Sequence, residues 1–369
     1  MVAISKIIKD LLNLAVSNAA SDLHLKTGRP AVFRVAGQLV EAEMSPLSEK
    51  DLAEFIEAVI PARFRAHWAE HHQVDFSLDF TSLQLGRYRV NAYVERGKLA
   101  LAMRLVKTKP PTLPELNLSV APVLNAVNQA SGLVLICGPT GSGKSSTIAG
   151  LLQQLNCEQA KHIITLEDPI EYIFKDEKSS FSQREVGIDV PDFTTGLRAA
   201  LRQDPDVILV GEMRDRKTFE TALHAAETGH SVLSTLHAGT AQQAVQRLFE
   251  FYPPEQLDLA KRNISTVLKA VVVQTLVTRT DGQGVLPALE IFMIDPLAKR
   301  MLADGQFEKI PDLVDAGGDF GSRSMNQDLC RLVRSGQVSK AEAMSLAVNP
   351  KGLEMQLMGI NIQSSRIVS

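Results

Sequence analysis

Val134-Leu135-Ile136-Cys137-Gly138-Pro139-Thr140-Gly141-Ser142-Gly143-Lys144-Ser145-Ser146 decides the fold. The stretch opens on four apolar residues, as a strand buried on both faces does, and Gly138 to Ser145 then fits G-x-x-x-x-G-K-[ST] at every position. Glycines allow backbone N–H groups to curl around phosphate oxygens, the ammonium of Lys144 reaches the β and γ oxygens, and the hydroxyl of Ser145 is suited to Mg²⁺. Ile148, Leu151, Leu152 and Leu155 follow at helical spacing, so a helix aims its N-terminal amides at the same charge. A chance glycine-rich turn would lack both the strand and the helix. The reading is a nucleoside triphosphate site with Mg²⁺.

Around this loop the chain alternates apolar strands with helices. Strands are expected at residues 132–137, 163–166, 207–210 and 232–236, apolar throughout, which indicates a parallel sheet covered on both faces with its site at the strands' carboxyl ends. Asp206-Val207-Ile208-Leu209-Val210-Gly211-Glu212 places one carboxylate before its strand and one after it, so Glu212 is the better Mg²⁺ or water-orienting residue. Thr165-Leu166-Glu167-Asp168-Pro169-Ile170-Glu171 ends another strand in three carboxylates, one of which orients the attacking water. His230 and His237 flank the strand at 231–236 and are read as sensors of the γ-phosphate; their spacing does not suit zinc. For any one of these residues a solvated strand end is the ordinary explanation, and it is their recurrence around a phosphate loop that argues for chemistry.

The rest of the chain frames this core. With 369 residues, 45% hydrophobic and 22% charged, it can bury a sizeable core in two or three domains. The formal net charge of −3 gives no overall attraction to nucleic acid. Cys137, Cys157 and Cys330 are too few and too scattered for a disulfide framework or a metal cluster, which fits a reducing cytosol. No run reaches the roughly 18 apolar residues needed to cross a bilayer, and Asp10 and Asn13 interrupt any signal-peptide core. Residues 3–19 carry Ile4, Ile7, Ile8, Leu11, Leu12 and Ala15 on one helical face. Short strands then alternate with one capped helix at 48–60 in a compact α+β domain over residues 1–106. Residues 107–118 hold three prolines and read as a semi-rigid linker, residues 119–280 as the nucleotide-binding core, and residues 281–369 as a mainly helical C-terminal region with a capping box at Ser339-Lys340-Ala341-Glu342. Arginines are dense at Arg87, Arg89, Arg96 and Arg104, and again at Arg198 and Arg202. Surface salt bridges explain any single one; as a set facing a phosphate loop they include candidate arginine fingers.

Four signatures occur in order: GPTGSGKSS, TLEDPIEYI, DPDVILVGEMRD and AAETGHSVLSTLH. Together they resemble the Walker A, Asp-box, Walker B and His-box motifs of the secretion and type IV pilus ATPases, and within that group the pilus retraction ATPases of the PilT/PilU type. Residues 20–25 and 86–91 extend the likeness upstream. Assembly and secretion members usually carry a longer N-terminal region and a zinc insertion of two C-x-x-C pairs, neither of which is found in this sequence.

The resemblance implies an α/β fold: a RecA-like P-loop core, an α+β PAS-like N-terminal domain and a helical C-terminal region. It further implies a cytoplasmic homo-hexameric ATPase that uses ATP and Mg²⁺ and moves its domains about the 107–118 linker. Such a ring sits at the inner membrane through a platform protein, without inserting into the membrane, and can work beside a second pilus ATPase. By motif, Lys144 and Ser145 hold phosphate and Mg²⁺, Glu167 positions water, Glu212 is the Walker B acid, His230 and His237 sense the nucleotide, and Arg87, Arg89 and Arg104 are the N-terminal-domain arginines. The helical AIRNLIRE motif of the retraction type is replaced by residues 296–304, where Leu297, Met301 and Leu302 keep apolar spacing but the charge order is lost. That departure leaves room for an accessory rather than a main motor. A pilus-assembly or type II secretion motor is the first alternative, a nucleic-acid translocase a more distant one, and a P-loop kinase lacks any acceptor site in the sequence.

Overall fold

The computed structural model describes residues 5–107 and 109–360. The expectations for Ile4, and for the C-terminal region beyond residue 360, lie outside the described residues. The chain forms two compact units, the first containing residues up to Lys109 together with Pro169–Ile173, the second Pro110–Asp168 and the chain from Phe174 onward.

The first unit is a six-stranded antiparallel sheet in the order β3-β2-β1-β6-β5-β4, built from β1 (Asp22–Lys26), β2 (Val32–Val35), β3 (Gln38–Glu41), β4 (Gln73–Asp79), β5 (Arg87–Glu95) and β6 (Lys98–Val106). Helices α1 (Lys6–Ser17), α2 (Glu49–Val59) and α3 (Arg65–His71) accompany it. The apolar stripe of α1 buries Ile8, Leu11, Leu12 and Ala15, and the Tyr88 hydroxyl on β5 donates to Leu12 O at 3.3 Å. Ser48 and Asp51 close a reciprocal capping box at the start of α2, fixing where that helix begins. Along β5, Tyr88, Val90 and Ala92 face inward and alternate with Arg87, Arg89 and Asn91, of which Arg89 is exposed; the alternation ends at Val94, which is exposed.

The second unit holds a seven-stranded sheet in the order β13-β12-β7-β11-β10-β8-β9. Its strands are β7 (Gly132–Cys137), β8 (His162–Glu167), β9 (Ser180–Glu185), β10 (Val207–Val210), β11 (Ser231–Leu236), β12 (Leu268–Thr278) and β13 (Val285–Met293). All neighbours pair in parallel except β12 and β13, which form an antiparallel edge. Helices α4 (Ala121–Val127), α5 (Lys144–Glu158), α6 (Phe193–Ala200), α7 (Arg216–Glu227), α8 (Ala241–Glu250) and α9 (Leu257–Val267) belong to this layer. One apolar cluster includes α7, α8 and α9 with Leu133, Leu135, Ile208 and Val232, and another includes α4 and α5 with Val134, Ile136, Leu209 and Leu233. The alternate residues of each central strand thus serve opposite faces, which is why those strands read as continuous apolar runs.

Helices α10 (Pro296–Asp304), α11 (Ile310–Ala316), α12 (Met325–Arg334), α13 (Lys340–Leu346) and α14 (Pro350–Leu357) complete the described chain. In α10 Met301 and Leu302 are buried as the apolar spacing suggests, but Ala298 takes the inward place expected for Leu297, which is 46% exposed. At α13 the Ser339 hydroxyl accepts from Glu342 N, but the Glu342 carboxylate accepts from Thr278 N rather than from Ser339. The expected box is thus half a box and half a tie to β12. Among the described residues no helix is long and apolar enough to cross a membrane.

Candidate active site

Strand β7 is buried along its whole length and delivers the loop of residues 138–143 to the carboxyl edge of the sheet. Gly138 has φ +145°, and a Cβ there would stand 2.4 Å from the Gln274 carbonyl oxygen, so only glycine lets the loop leave the strand at this point. Gly143 has φ +86° and caps the N-terminus of α5, which begins at Lys144. The Lys144 ammonium donates to Gly138 O at 2.8 Å and Pro139 O at 2.9 Å, so the charge already lies over the loop that receives phosphate. Pro139, Thr140, Gly141 and Ser145 are exposed at the mouth, Ser146 is half-buried and Ser142 is buried.

Gln274, on β12, holds this loop from behind and was not expected from the sequence. Its Nε2 donates to Ser142 O at 2.7 Å, and its Oε1 accepts from the Thr147 hydroxyl at 2.6 Å. Both bonds are buried, so Gln274→Ala strands an acceptor on the loop and a donor on α5. Thermal or denaturant unfolding of that variant should show a loss of roughly 1–3 kcal/mol. Its ATP affinity should fall as the loop loosens.

The neighbouring strand ends bring the acids in. Gly211 N donates to Leu166 O at 2.8 Å, and a Cβ at Gly211 would lie 3.1 Å from that oxygen, so β10 leaves the sheet hard against β8 and carries Glu212 beyond the edge. Glu212 is paired with Arg214 at 2.8 Å and lies 3.5 Å from His237 Nε2, His237 standing at the carboxyl end of β11. Arg214 also lies in the field of Asp168 and so carries positive charge between the Walker B and Asp-box ends. Glu167 closes β8, where its Oε1 accepts from the Thr165 hydroxyl at 2.6 Å and from Gln183 Nε2 at 3.2 Å. Those two bonds fix its carboxylate at the strand end, the property a water-orienting base needs. Glu171, the third Asp-box acid, belongs to the segment Pro169–Ile173 of the first unit.

His230 does not join this group. It precedes β11, its carbonyl oxygen accepts from Gly132 N at the start of β7, and its ring Nδ1 lies 3.0 Å from Ala225 O. A six-residue strand spans about 20 Å, so the two histidines stand at opposite edges of the sheet. The flanking pattern that paired them in sequence is the reason they are apart in space. Accordingly, His237→Ala should lower ATP turnover at saturating ATP by at least about tenfold, whereas His230→Ala should stay within about twofold of the unaltered chain in the same phosphate-release assay, the difference reporting a lost transition-state contact.

Arg87, Arg89 and Arg104 lie on the sheet of the first unit. Arg89 and Arg104 are register partners on β5 and β6, a like-charge pair that Asp22 relieves by accepting from Arg104 Nε at 2.8 Å. That bond, opposed by burial, holds the Asp22 carboxyl below the usual carboxylate range. Arg87 stands 3.8 Å from Asp79 and is largely buried. Arg96 occupies the β5–β6 turn with φ +53°.

Cys137, Cys157 and Cys330 are free, and burial pushes the Cys137 thiol, directly before the loop, up to about 12. Among the described residues no cluster of three or more His, Cys, Asp or Glu could hold a metal ion. A Mg²⁺ bound mainly by phosphate and water needs no such cluster; the Ser145 hydroxyl and Glu212 carboxylate are hard oxygen donors of the kind it takes.

Comparison with known proteins identifies the family. Residues 2–285 match the family model described as Type II/IV secretion system protein. The chain is 34% identical to the type IV pilus ATPase PilU of Pseudomonas aeruginosa over 94% of its length and 90% of that protein's. It is 36% identical to the retraction ATPase PilT of the same organism, over 93% of its length and 99% of that protein's. The crystal structure of the pilus retraction motor PilT with bound ADP superposes with a TM-score of 0.86 and 37% identity, covering 94% of this chain and 98% of that one. With the family model spanning more than half of the sequence and such relatives matching nearly end to end, the chain belongs to the Type II/IV secretion system protein family of nucleotide-binding ATPases.

Proposed function

We propose that this protein hydrolyses ATP to drive type IV pilus retraction, as main or accessory motor. The observation that carries the reading is the convergence of Lys144, Glu167, Glu212 and His237 on one edge of a single sheet. Relatives named as pilus retraction ATPases match along nearly their whole length, which supports the pilus as the object moved.

In this reading Lys144 stabilises charge on the γ-phosphoryl group, Glu167 orients the attacking water, and His237 registers the phosphate through Glu212. Ser145 and Glu212 would hold Mg²⁺, which neutralises charge on the phosphate oxygens when bound. The α+β domain is assigned to residues 1–106, the linker to 107–118, the ATPase core to 119–280 and the C-terminal region to 281–369. The working form is a homo-hexamer, on the cytoplasmic side of the inner membrane and held there by a platform protein, in which Arg87, Arg89 and Arg104 serve a neighbour's nucleotide.

A pilus-assembly or secretion motor is the competing reading, and three cysteines cannot supply the two C-x-x-C pairs of its zinc insertion. Deleting the gene separates them: a retraction motor leaves cells with more surface pili, as counted by electron microscopy, and an assembly motor leaves them bald. Bald cells would overturn the retraction reading.

A further inference from the structure

Strand β9 is the polar edge of the second unit's sheet, and Gln183 stands on it directly opposite Thr165 of β8. Register partners in a parallel pair share a face, and both of these residues donate to Glu167 Oε1, the Thr165 hydroxyl at 2.6 Å and Gln183 Nε2 at 3.2 Å. Thr165 belongs to the same strand as Glu167 and moves with it. Gln183 comes from the neighbouring strand, so its bond restrains the carboxylate from outside β8.

The other end of the Gln183 amide is engaged as well. Its Oε1 accepts from Phe174 N at 2.8 Å. The Phe174 ring stacks on Phe181, two residues before Gln183 on β9, with ring centroids 4.3 Å apart and planes 4° from parallel, so packing holds that N–H in place. A carboxamide has one end that accepts and one that donates. With the acceptor end taken by Phe174 N–H, the donor end is turned toward Glu167. A carboxylate on β9 could also accept from Phe174 N, so that bond alone does not account for an amide aimed at Glu167. Glu167 and Phe174 stand on either side of Pro169–Ile173, the stretch that belongs to the first unit. One glutamine therefore holds the chain just before it leaves the second unit and just as it returns.

We propose that Gln183 is a positioning residue for hydrolysis: oriented by the Phe174 N–H, its amide holds the Glu167 carboxylate in the attitude that directs the attacking water. Gln183 acts through that carboxylate, so the inference rests on the reading of Glu167 as the water-orienting group. It does not depend on what the ATPase moves.

The test is steady-state phosphate release by the full-length protein at pH 8. Gln183→Met keeps the length of the side chain and removes both hydrogen bonds. Gln183→Glu keeps an acceptor for Phe174 N and sets a second carboxylate against Glu167, so a loss in this variant is not the loss of the Phe174 bond. In each, kcat should fall by about tenfold to a hundredfold, the scale of a misplaced reacting group, while KM for ATP stays within about twofold of the original. Glu167→Gln measures what the carboxylate itself contributes. Adding Gln183→Met to it should lower kcat by less than about threefold further, because nothing is left to position. The original kcat in either Gln183 variant, a loss carried by KM, or an undiminished further loss in the Glu167→Gln background would overturn the proposal. Original turnover by Glu167→Gln alone would instead overturn the reading of Glu167, and the role of Gln183 with it.

Discussion

Lys144→Ala is expected to abolish measurable ATP turnover, by about 10²–10³-fold or more, and to weaken nucleotide binding as well. The Lys144 ammonium lies within hydrogen-bond distance of two carbonyl oxygens of its own loop, so a phosphate entering the loop meets a cation already placed. Its removal costs both ground-state binding and the stabilisation of charge that develops as the γ-phosphoryl group transfers. Alanine keeps the helix, because α5 begins at this position and alanine is a good helix former. Unfolding temperature without nucleotide should therefore stay close to that of the unaltered chain, which distinguishes lost chemistry from lost fold. A variant that turned over ATP at the original rate would remove the loop from the mechanism.

Glu212→Gln should behave differently, with turnover falling by roughly 10²–10³-fold while ATP or ADP binds nearly as before. Glu212 stands at a strand end between Arg214 and His237, and it contributes no bond to the loop that grips phosphate. The amide preserves shape but loses the charge that attracts Mg²⁺ and pairs with Arg214. Phosphate release and equilibrium nucleotide binding, measured side by side, check the split. Equal losses in both would place Glu212 in the binding shell instead.

The loop was legible because its signature is local: each residue type is demanded by phosphate contact, at fixed spacing, between a buried strand and a helix. The placement of Glu167, Glu212 and His237 at one edge was legible because parallel strands deliver their C-terminal residues there. By the same logic His230 goes to the other edge, since it stands just before the strand and not after it. Strand β9 escaped notice because Ser180–Glu185 is polar and mostly half-exposed, without the apolar run or clean alternation that marks a strand. Strand β12 was missed for the opposite reason. It follows α9 directly, Val267 to Leu268, with no glycine or proline between them, so its apolar run merges with the helical pattern. With β12 went Gln274, whose support of the loop is a long-range contact that no motif announces. At α10, a shift of one residue decided whether Leu297 or Ala298 faced inward, and apolar content alone favoured the larger residue.

The central claim is that hydrolysis at this sheet edge powers pilus shortening. The most direct measurement follows fluorescently labelled pili in cells that lack the chromosomal gene and are supplied with either the original chain or Glu212→Gln at equal expression. The original chain should restore shortening events against load, and Glu212→Gln should leave them as rare as in the deletion. Restoration of shortening at the original rate by Glu212→Gln would contradict the account.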